Sequence, residues 1–221
     1  DRLKPGLLLL AAGGTLFLDE VAQIIGQDVA LTGLLLKTIN SAAFGMTRKI
    51  ESIPQAVSLL GLEKLNNLVL SSALQQVLGE ETAFHNSYWA GAKGNAFCAA
   101  KLAVSVFDLS SDTAYLAGLF QDAGALLLAE KFSVYEQIYP KAAAYPMRSE
   151  QLERSKLGTS HTVVGYLLAK HWEIADPICL AIYHSHNQDL DELEDSALRA
   201  LVACLQLSSN IVNNILYPNL E

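Results

Sequence analysis

The chain has 221 residues, with 15 Lys+Arg against 23 Asp+Glu, so its formal net charge is −8. Hydrophobic residues make up 51% and charged residues only 17% of it, which predicts a folded chain with a large core and excludes a disordered one. The acidic balance argues against nucleic acid as a partner, because a protein that binds the phosphate backbone needs a basic face.

Apolar residues recur at helical spacing along most of the chain, and no convincing strand alternation is found. Capping residues and glycines divide this pattern into elements; Ser52, for example, precedes a helix with Pro54 in its first turn and Gly61 at its end. About ten helices result by this count, and the fold class is predicted to be all-α. In chain order they cover residues 29–39, 53–60, 62–78, 87–107 and 112–132, two short helices beginning at Ser133 and Ser149, and residues 161–172, 176–186 and 195–216.

The composition changes near residues 79–81, since all five histidines lie after this point. No low-complexity linker and no repeat of solenoid length divides the chain. We therefore predict a single domain over residues 1–221. It consists of two helical subdomains, 1–79 and 80–221, that share one core.

The cysteine content and the hydropathy of the sequence indicate the cellular compartment of the protein. The three cysteines are far apart and include no CxxC pair, which is typical of a reducing compartment; they are Cys98, Cys179 and Cys204. The longest apolar run, residues 6–18, is too short to span a bilayer. The sequence predicts a cytoplasmic protein without a membrane segment. Because the chain opens at Asp1 rather than at a methionine, we expect it to be part of a longer protein.

Several common enzyme signatures are missing from the sequence. It has no GxxxxGK[ST] phosphate loop, no GxSxG elbow and no HExxH pair, which excludes the usual P-loop, serine hydrolase and metalloprotease motifs.

Six other motifs occur in a recognisable order: residues 40–45 (NSAAFG), 56–61 (AVSLLG), Trp89, 117–124 (AGLFQDAG), 160–165 (SHTVVG) and 181–184 (AIYH). Together they resemble the HDOD family, the HD-related output domains of bacterial signalling proteins. The resemblance implies a multi-helix bundle whose C-terminal part is similar to the HD and HD-GYP metal-dependent phosphohydrolases.

The resemblance also implies a set of metal ligands. Catalytic relatives use an early His, a His-Asp doublet and a late Asp to hold Fe, Mn or Mg, and the metal acidifies a water that attacks phosphorus. Here the early His falls on Gly91, the doublet reads Gln121-Asp122, and the late Asp falls near Ser208 and Ser209. We therefore expect an eroded site without a metal or other cofactor, with a divalent Fe, Mn or Mg ion as the alternative.

Four residues are candidates for a vestigial site: Gln121, Asp122, His161 and His184. Asp122 lies in an apolar segment and needs a partner, either a structural hydrogen bond or a remaining metal or ligand contact. His161 follows the capping residue of its helix, so a capping or interface role is the alternative for it. His184 and His186 would point to nearly opposite sides of a helix, so at most one of them faces inward.

The preserved core pattern and the eroded ligand set predict a non-catalytic regulatory domain that acts through protein interaction. Its partners would be signalling proteins or fused sensor and output domains, and the resemblance implies a link to cyclic-dinucleotide or two-component signalling. One alternative is a metal-dependent phosphohydrolase with unconventional ligands drawn from Gln121, Asp122, His161 and His184. The other is a small-molecule or nucleotide-binding pocket at Asp122.

Overall fold

The computed structural model describes residues 25, 29–40, 49–78, 82–137, 139 and 146–216. Its regular structure there is helical and includes no strand, which confirms the all-α prediction. We number the helices of this part of the chain α1 Val29–Ile39, α2 Ile53–Leu60, α3 Leu62–Leu78, α4 Ala83–Ala103, α5 Ser111–Phe120, α6 Gly124–Lys131, α7 Pro146–Leu157, α8 His161–His171, α9 Asp176–Tyr183 and α10 Ser196–Leu216. None of them is long and apolar enough to cross a membrane.

The chain divides into two compact units, Asp1–Gly79 and Glu80–Glu221. A core shared by the two units stays a prediction. In the first unit, α1, α2 and α3 contact one another. Helix α2 begins as the sequence predicts, with the Ser52 hydroxyl accepting from the Gln55 N–H at 3.3 Å, and ends at Gly61 with φ 80°. The buried core of this unit includes Leu31, Leu35, Ile39, Ile50, Ile53, Leu65 and Leu68.

The second unit is built around α4, which packs along α5 and α10. Small residues make this close packing possible. A Cβ atom on Gly118 of α5 would lie 2.9 Å from the Asn95 carbonyl oxygen of α4, so only glycine fits at this crossing. Helix α8 packs against α6 and α9 on another side of the unit.

The single helix predicted over residues 112–132 was wrong, because the chain forms two helices there. Between α5 and α6 the backbone N–H groups bond the carbonyl three residues earlier instead of four, as Ala123 N–H does with the Phe120 carbonyl at 3.0 Å. Helix α5 begins at Ser111 with Ser110 as its cap, since the Ser110 hydroxyl accepts hydrogen bonds from the Asp112 and Thr113 amides at 3.2 and 3.3 Å. The break places residues 121 and 122 at a junction between helices.

Several other helix ends differ from the prediction; for example, α4 ends at Ala103 rather than at residue 107, and α7 begins at Pro146 rather than at Ser149. Helix α4 begins at Ala83 with Thr82 as its cap, ahead of the predicted start at residue 87. Helix α9 ends at Tyr183 instead of near residue 186, and His184 already lies outside it. Because the chain turns after α9, the angular spacing of residues on a helix does not determine whether His184 or His186 faces inward.

Candidate metal centre

Asp122, His161 and His186 converge in the second unit, where each offers one ligand atom within 4.8 Å of the others. Asp122 comes from the junction between α5 and α6, His161 is the first residue of α8, and His186 lies in the turn after α9. The two histidines are 5% and 9% exposed, whereas the Asp122 side chain is 21% exposed. We call these three residues the trio.

The geometry of the trio fits one metal ion. The two Nε2 atoms lie 2.9 Å apart, and Asp122 Oδ1 lies 3.6 Å from His161 Nε2 and 3.7 Å from His186 Nε2. The circle through these three atoms has a radius of about 2.0 Å, which matches the distances of about 2.0–2.2 Å between Zn²⁺ and nitrogen or oxygen ligands in proteins. Asp122 Oδ1 is buried and has no hydrogen-bond partner. Two imidazoles and one carboxylate are ligands that suit a first-row transition ion.

The charges of the trio are coupled to one another. Burial works to raise the pKa of Asp122, but its interactions with the nearby His186 and His161 rings outweigh burial, so this pKa lies below its usual value. Burial works to lower the pKa of His161, but the hydrogen bond and charge of Glu153 and the charge of Asp122 raise it above the usual value. The site therefore favours an ionised Asp122 and attracts positive charge.

A second layer supports His161. Glu153 of α7 is 1% exposed, and its Oε2 accepts from His161 Nδ1 at 2.7 Å and from the His161 backbone N–H at 2.8 Å. Its Oε1 accepts from the Tyr135 hydroxyl at 2.5 Å. Burial works to raise the pKa of Glu153, but bonding to His161 and Tyr135 lowers it overall. Glu153 is not recognisable from the sequence, because one acidic residue in a polar helix gives no periodic or motif signal.

The sequence predicts that Ser160 caps α8, but its side chain makes no capping hydrogen bond to the helix. Its hydroxyl instead pairs with Thr162 Oγ1 at 2.8 Å and donates to Glu150 Oε1 at 3.3 Å. The His161 amide at the start of α8 is satisfied by the Glu153 carboxylate. A negative charge at this end of a helix is favourable because of the helix dipole.

Gln121 belongs to a separate buried pair. Its Nε2 donates to Ser209 Oγ of α10 at 2.8 Å, and the two residues are 0% and 5% exposed. The resemblance places the doublet His of catalytic relatives at Gln121 and their late Asp near Ser208 and Ser209, and this placement stays a prediction. The structure shows that the Gln121 amide and the Ser209 hydroxyl lie together and bond each other.

His184 is not part of the trio, and His186 takes the inward position. His184 Nδ1 lies 3.1 Å from Asn187 Nδ2, and its ring meets Tyr183 edge-on with centroids 4.9 Å apart. Of the four candidates from the sequence, the structure brings Asp122 and His161 together and adds His186. The sequence shows His186 two residues after His184, but it does not determine which of these two side chains faces inward.

On α4, the Tyr88 hydroxyl interacts electrostatically with Asp122. Burial, followed by the charge of Asp122, raises the pKa of the Tyr88 hydroxyl well above its usual value. A Cβ on Gly91 would lie 3.8 Å from a methyl group of Leu216, on the side of α4 that faces α10. The placement of the early His on Gly91 and the small-molecule alternative at Asp122 both stay predictions.

Comparisons with known proteins agree with this fold. The sequence pattern of the HDOD domain matches residues 12–188. An uncharacterised protein of Treponema pallidum (strain Nichols) is 30% identical over 176 residues, which cover 77% of this chain but only 34% of that protein. The chain thus spans about a third of the length of this curated relative.

Two solved structures show the same fold. An HDOD domain protein of unknown function from Geobacter sulfurreducens is 27% identical with a TM-score of 0.75, and the match covers 96% of this chain and 72% of the other. A candidate phosphohydrolase from Shewanella amazonensis SB2B is 21% identical with a TM-score of 0.79, covering 97% of this chain and 77% of the other.

Proposed function

This chain belongs to the HDOD domain family, and from that premise we propose that it is a non-catalytic domain of signal transduction that acts through contacts with other protein domains. The observation that carries the proposal is the buried hydrogen bond from Gln121 Nε2 to Ser209 Oγ at 2.8 Å. The resemblance to catalytic HD relatives places two of their metal-ligand positions at Gln121 and near Ser208 and Ser209. A glutamine amide bonded to a serine hydroxyl supplies neither an imidazole nor a carboxylate to a metal.

The proposal includes one divalent cation at the trio. Asp122, His161 and His186 would hold it, and the donor set favours Fe²⁺, Mn²⁺ or Zn²⁺ over Mg²⁺, which prefers oxygen ligands. A bound ion of this kind supplies positive charge and acidifies a coordinated water. In the proposed role, the ion balances buried carboxylates and stabilises the helices that contribute its ligands.

Elemental mass spectrometry of protein purified without chelator, from cells supplied with Mn and Fe, tests this proposal together with a phosphodiester assay. We expect close to one transition ion per chain and no hydrolysis of bis(p-nitrophenyl) phosphate beyond that of Asp122→Ala. His186→Ala should lose the ion, and His184→Ala is the matched control that should keep it. A chain without metal would contradict the cation site, and metal-dependent hydrolysis would contradict the non-catalytic role.

A metal-dependent phosphohydrolase is the second candidate, and the convergence of the trio is the observation that favours it. The Asp122 side chain is 21% exposed, so an ion there could be reached from solvent. This candidate requires phosphodiester hydrolysis that depends on added Mn²⁺ or Fe²⁺. The activity would be lost in Asp122→Ala and His186→Ala and kept in His184→Ala. Hydrolysis that survives loss of the trio would come from a contaminant and would count against it.

The partners that we propose are signalling proteins or sensor and output domains of the same protein, in the cytoplasm and linked to cyclic-dinucleotide or two-component signalling. Exposed apolar side chains on one face of α10 support protein contact, because such surface is normally covered in a complex. Leu207, Ile211 and Ile215 recur at four-residue spacing and are 51%, 39% and 71% exposed.

Crosslinking in cells, followed by binding measurements with the purified partner, tests this part of the proposal. Ile211→Ser should weaken binding at least tenfold. Val134→Ser, which changes an apolar residue that is 53% exposed elsewhere in the same unit, is the control and should leave binding unchanged. Equal affinity of the wild type and both variants would exclude the α10 face from the contact.

A further inference from the structure

Glu153 is a buried carboxylate that the trio does not use as a ligand. Its exposed fraction is 1%, yet it provides no atom to the group of Asp122, His161 and His186. Both of its oxygens already accept hydrogen bonds. Oε2 accepts from His161 Nδ1 and from the His161 amide, and Oε1 accepts from Tyr135.

These contacts determine which nitrogen of the His161 ring carries the hydrogen. An ionised carboxylate only accepts hydrogen bonds, so Nδ1 of His161 must carry a hydrogen. In a neutral imidazole the lone pair is then on Nε2, the atom that lies 2.9 Å from His186 Nε2 and 3.6 Å from Asp122 Oδ1. Such a carboxylate behind a ligating histidine fixes both the tautomer and the ring orientation.

Tyr135 fixes the carboxylate in turn. Its hydroxyl donates to Glu153 Oε1 at 2.5 Å, and Tyr135 itself is 1% exposed. With one oxygen held by Tyr135 and the other by the first amide of α8, the Glu153 carboxyl group cannot rotate away from His161 without breaking buried hydrogen bonds. Breaking one would leave a buried polar group unsatisfied, which costs about 1–3 kcal/mol.

We propose that Glu153 and Tyr135 are positioning residues that hold His161 with its Nε2 lone pair directed at one divalent cation; this inference rests on the cation site proposed above. Neither residue touches the ion. Glu153 sets the tautomer and adds a second buried negative charge beside Asp122, and Tyr135 keeps the carboxylate in the plane that His161 requires.

The test compares two carboxylate-to-amide changes on the same helix. Glu153→Gln should weaken Mn²⁺ affinity 10–100-fold, as is typical for the loss of such a supporting group. Tyr135→Phe should weaken it several-fold. Glu150→Gln is the matched control: its carboxyl group contacts Ser160, Thr162 and Arg154, and its charge acts on His161 and His186 without a hydrogen bond to either ring. It therefore removes the same charge as Glu153→Gln but leaves the His161 ring held, and Mn²⁺ affinity should fall clearly less than in Glu153→Gln. Isothermal titration at a temperature where each variant is folded by circular dichroism gives these values.

A second readout separates positioning from mere stabilisation. Long-range ¹H–¹⁵N NMR should show wild-type His161 with its hydrogen on Nδ1, and in Glu153→Gln a mixture with the Nε2–H form. Wild-type affinity and an unchanged tautomer in Glu153→Gln would overturn the positioning role while leaving the cation site intact. Absence of Mn²⁺ binding by the wild type would overturn both. If Glu153→Gln fails to fold, Tyr135→Phe is decided by the same two measurements.

Discussion

At the residue scale, the pair of Gln121 and Ser209 makes a buried contact between distant parts of the chain. Ser209→Ala would leave the Gln121 amide without its partner in a position that is 0% exposed. We expect this substitution to lower the free energy of unfolding by about 1–3 kcal/mol. Ser208→Ala is the control, because the equally buried Ser208 hydroxyl bonds only the Leu205 carbonyl of its own helix. Urea unfolding measures both, and equal losses would contradict the special role of the pair.

The three cysteines give a prediction about pH. Burial raises the pKa of Cys98, Cys179 and Cys204, so less thiolate is present at neutral pH than in free cysteine. Reaction with Ellman's reagent at pH 7.5 should be slower than that of free cysteine, and the rate should keep rising above pH ~8.5, the usual thiol pKa. Protein unfolded in guanidinium is the control and should react at the normal rate. A folded-state rate equal to that of free cysteine at pH 7.5 would refute the prediction.

The site shows what sequence could and could not provide at this scale. Asp122 and His161 could be named as candidates because the resemblance to HD relatives pointed to them, whereas their local sequence alone favoured structural hydrogen bonding for Asp122 and a capping or interface role for His161. The choice between His184 and His186 was not predictable, since it depends on where α9 ends. Glu153 was not predictable either, because its role arises only when α7 lies beside the first turn of α8.

At the element scale, Gly124 determines how closely α6 and α8 approach. A Cβ there would lie 2.1 Å from the His161 carbonyl oxygen and 2.5 Å from the Gly165 nitrogen, both backbone atoms that cannot yield easily. Gly124→Ala should therefore destabilise the protein by about 3 kcal/mol or more. It should also weaken Mn²⁺ binding, because His161 begins α8.

Gly91→Ala is the control for this prediction. A Cβ at Gly91 would meet only a methyl group of Leu216 at 3.8 Å, an ordinary contact. Within helix α4 the change from glycine to alanine should be neutral or stabilising by up to about 1 kcal/mol. Thermal unfolding distinguishes the two variants. Equal stability would show that α6 and α8 can separate freely.

Helix existence was well predicted from the sequence and helix boundaries less so. Ser52, Pro54 and Gly61 delimit α2 as expected, because these capping signals are local. The break between α5 and α6 has no local signal of that strength: residues 117–132 are apolar on nearly every face, so periodicity alone favours one helix. The break reflects packing of Gly124 against α8, which is information from outside the segment.

At the scale of the whole molecule, the net charge of −8 predicts that nucleic acid is not a partner. We expect no binding of a fluorescein-labelled 20-base-pair DNA or single-stranded RNA tighter than about 100 µM at 150 mM KCl, because an acidic chain gains nothing from counterion release. Fluorescence anisotropy measures this, with a basic DNA-binding protein as the positive control. Micromolar binding that weakens steeply with added salt would show a basic face that the overall charge conceals.

Helix α7 is attached to the rest of its unit in an unusual way. Of its side chains described at residues 150–157, only that of Glu153 is buried, and Leu152 is 41% exposed. The carboxylate that orients His161 therefore also holds this helix in place, together with Glu150, which accepts from Ser160 and Thr162. Linkage between two equilibria is reciprocal. A stronger hydrogen bond between Glu153 and His161 therefore makes detachment of α7 less favourable by the same free energy. Conversely, a neighbouring domain that pulled α7 away would weaken cation binding at the trio by that amount, so α7 would couple the trio to the neighbouring domain.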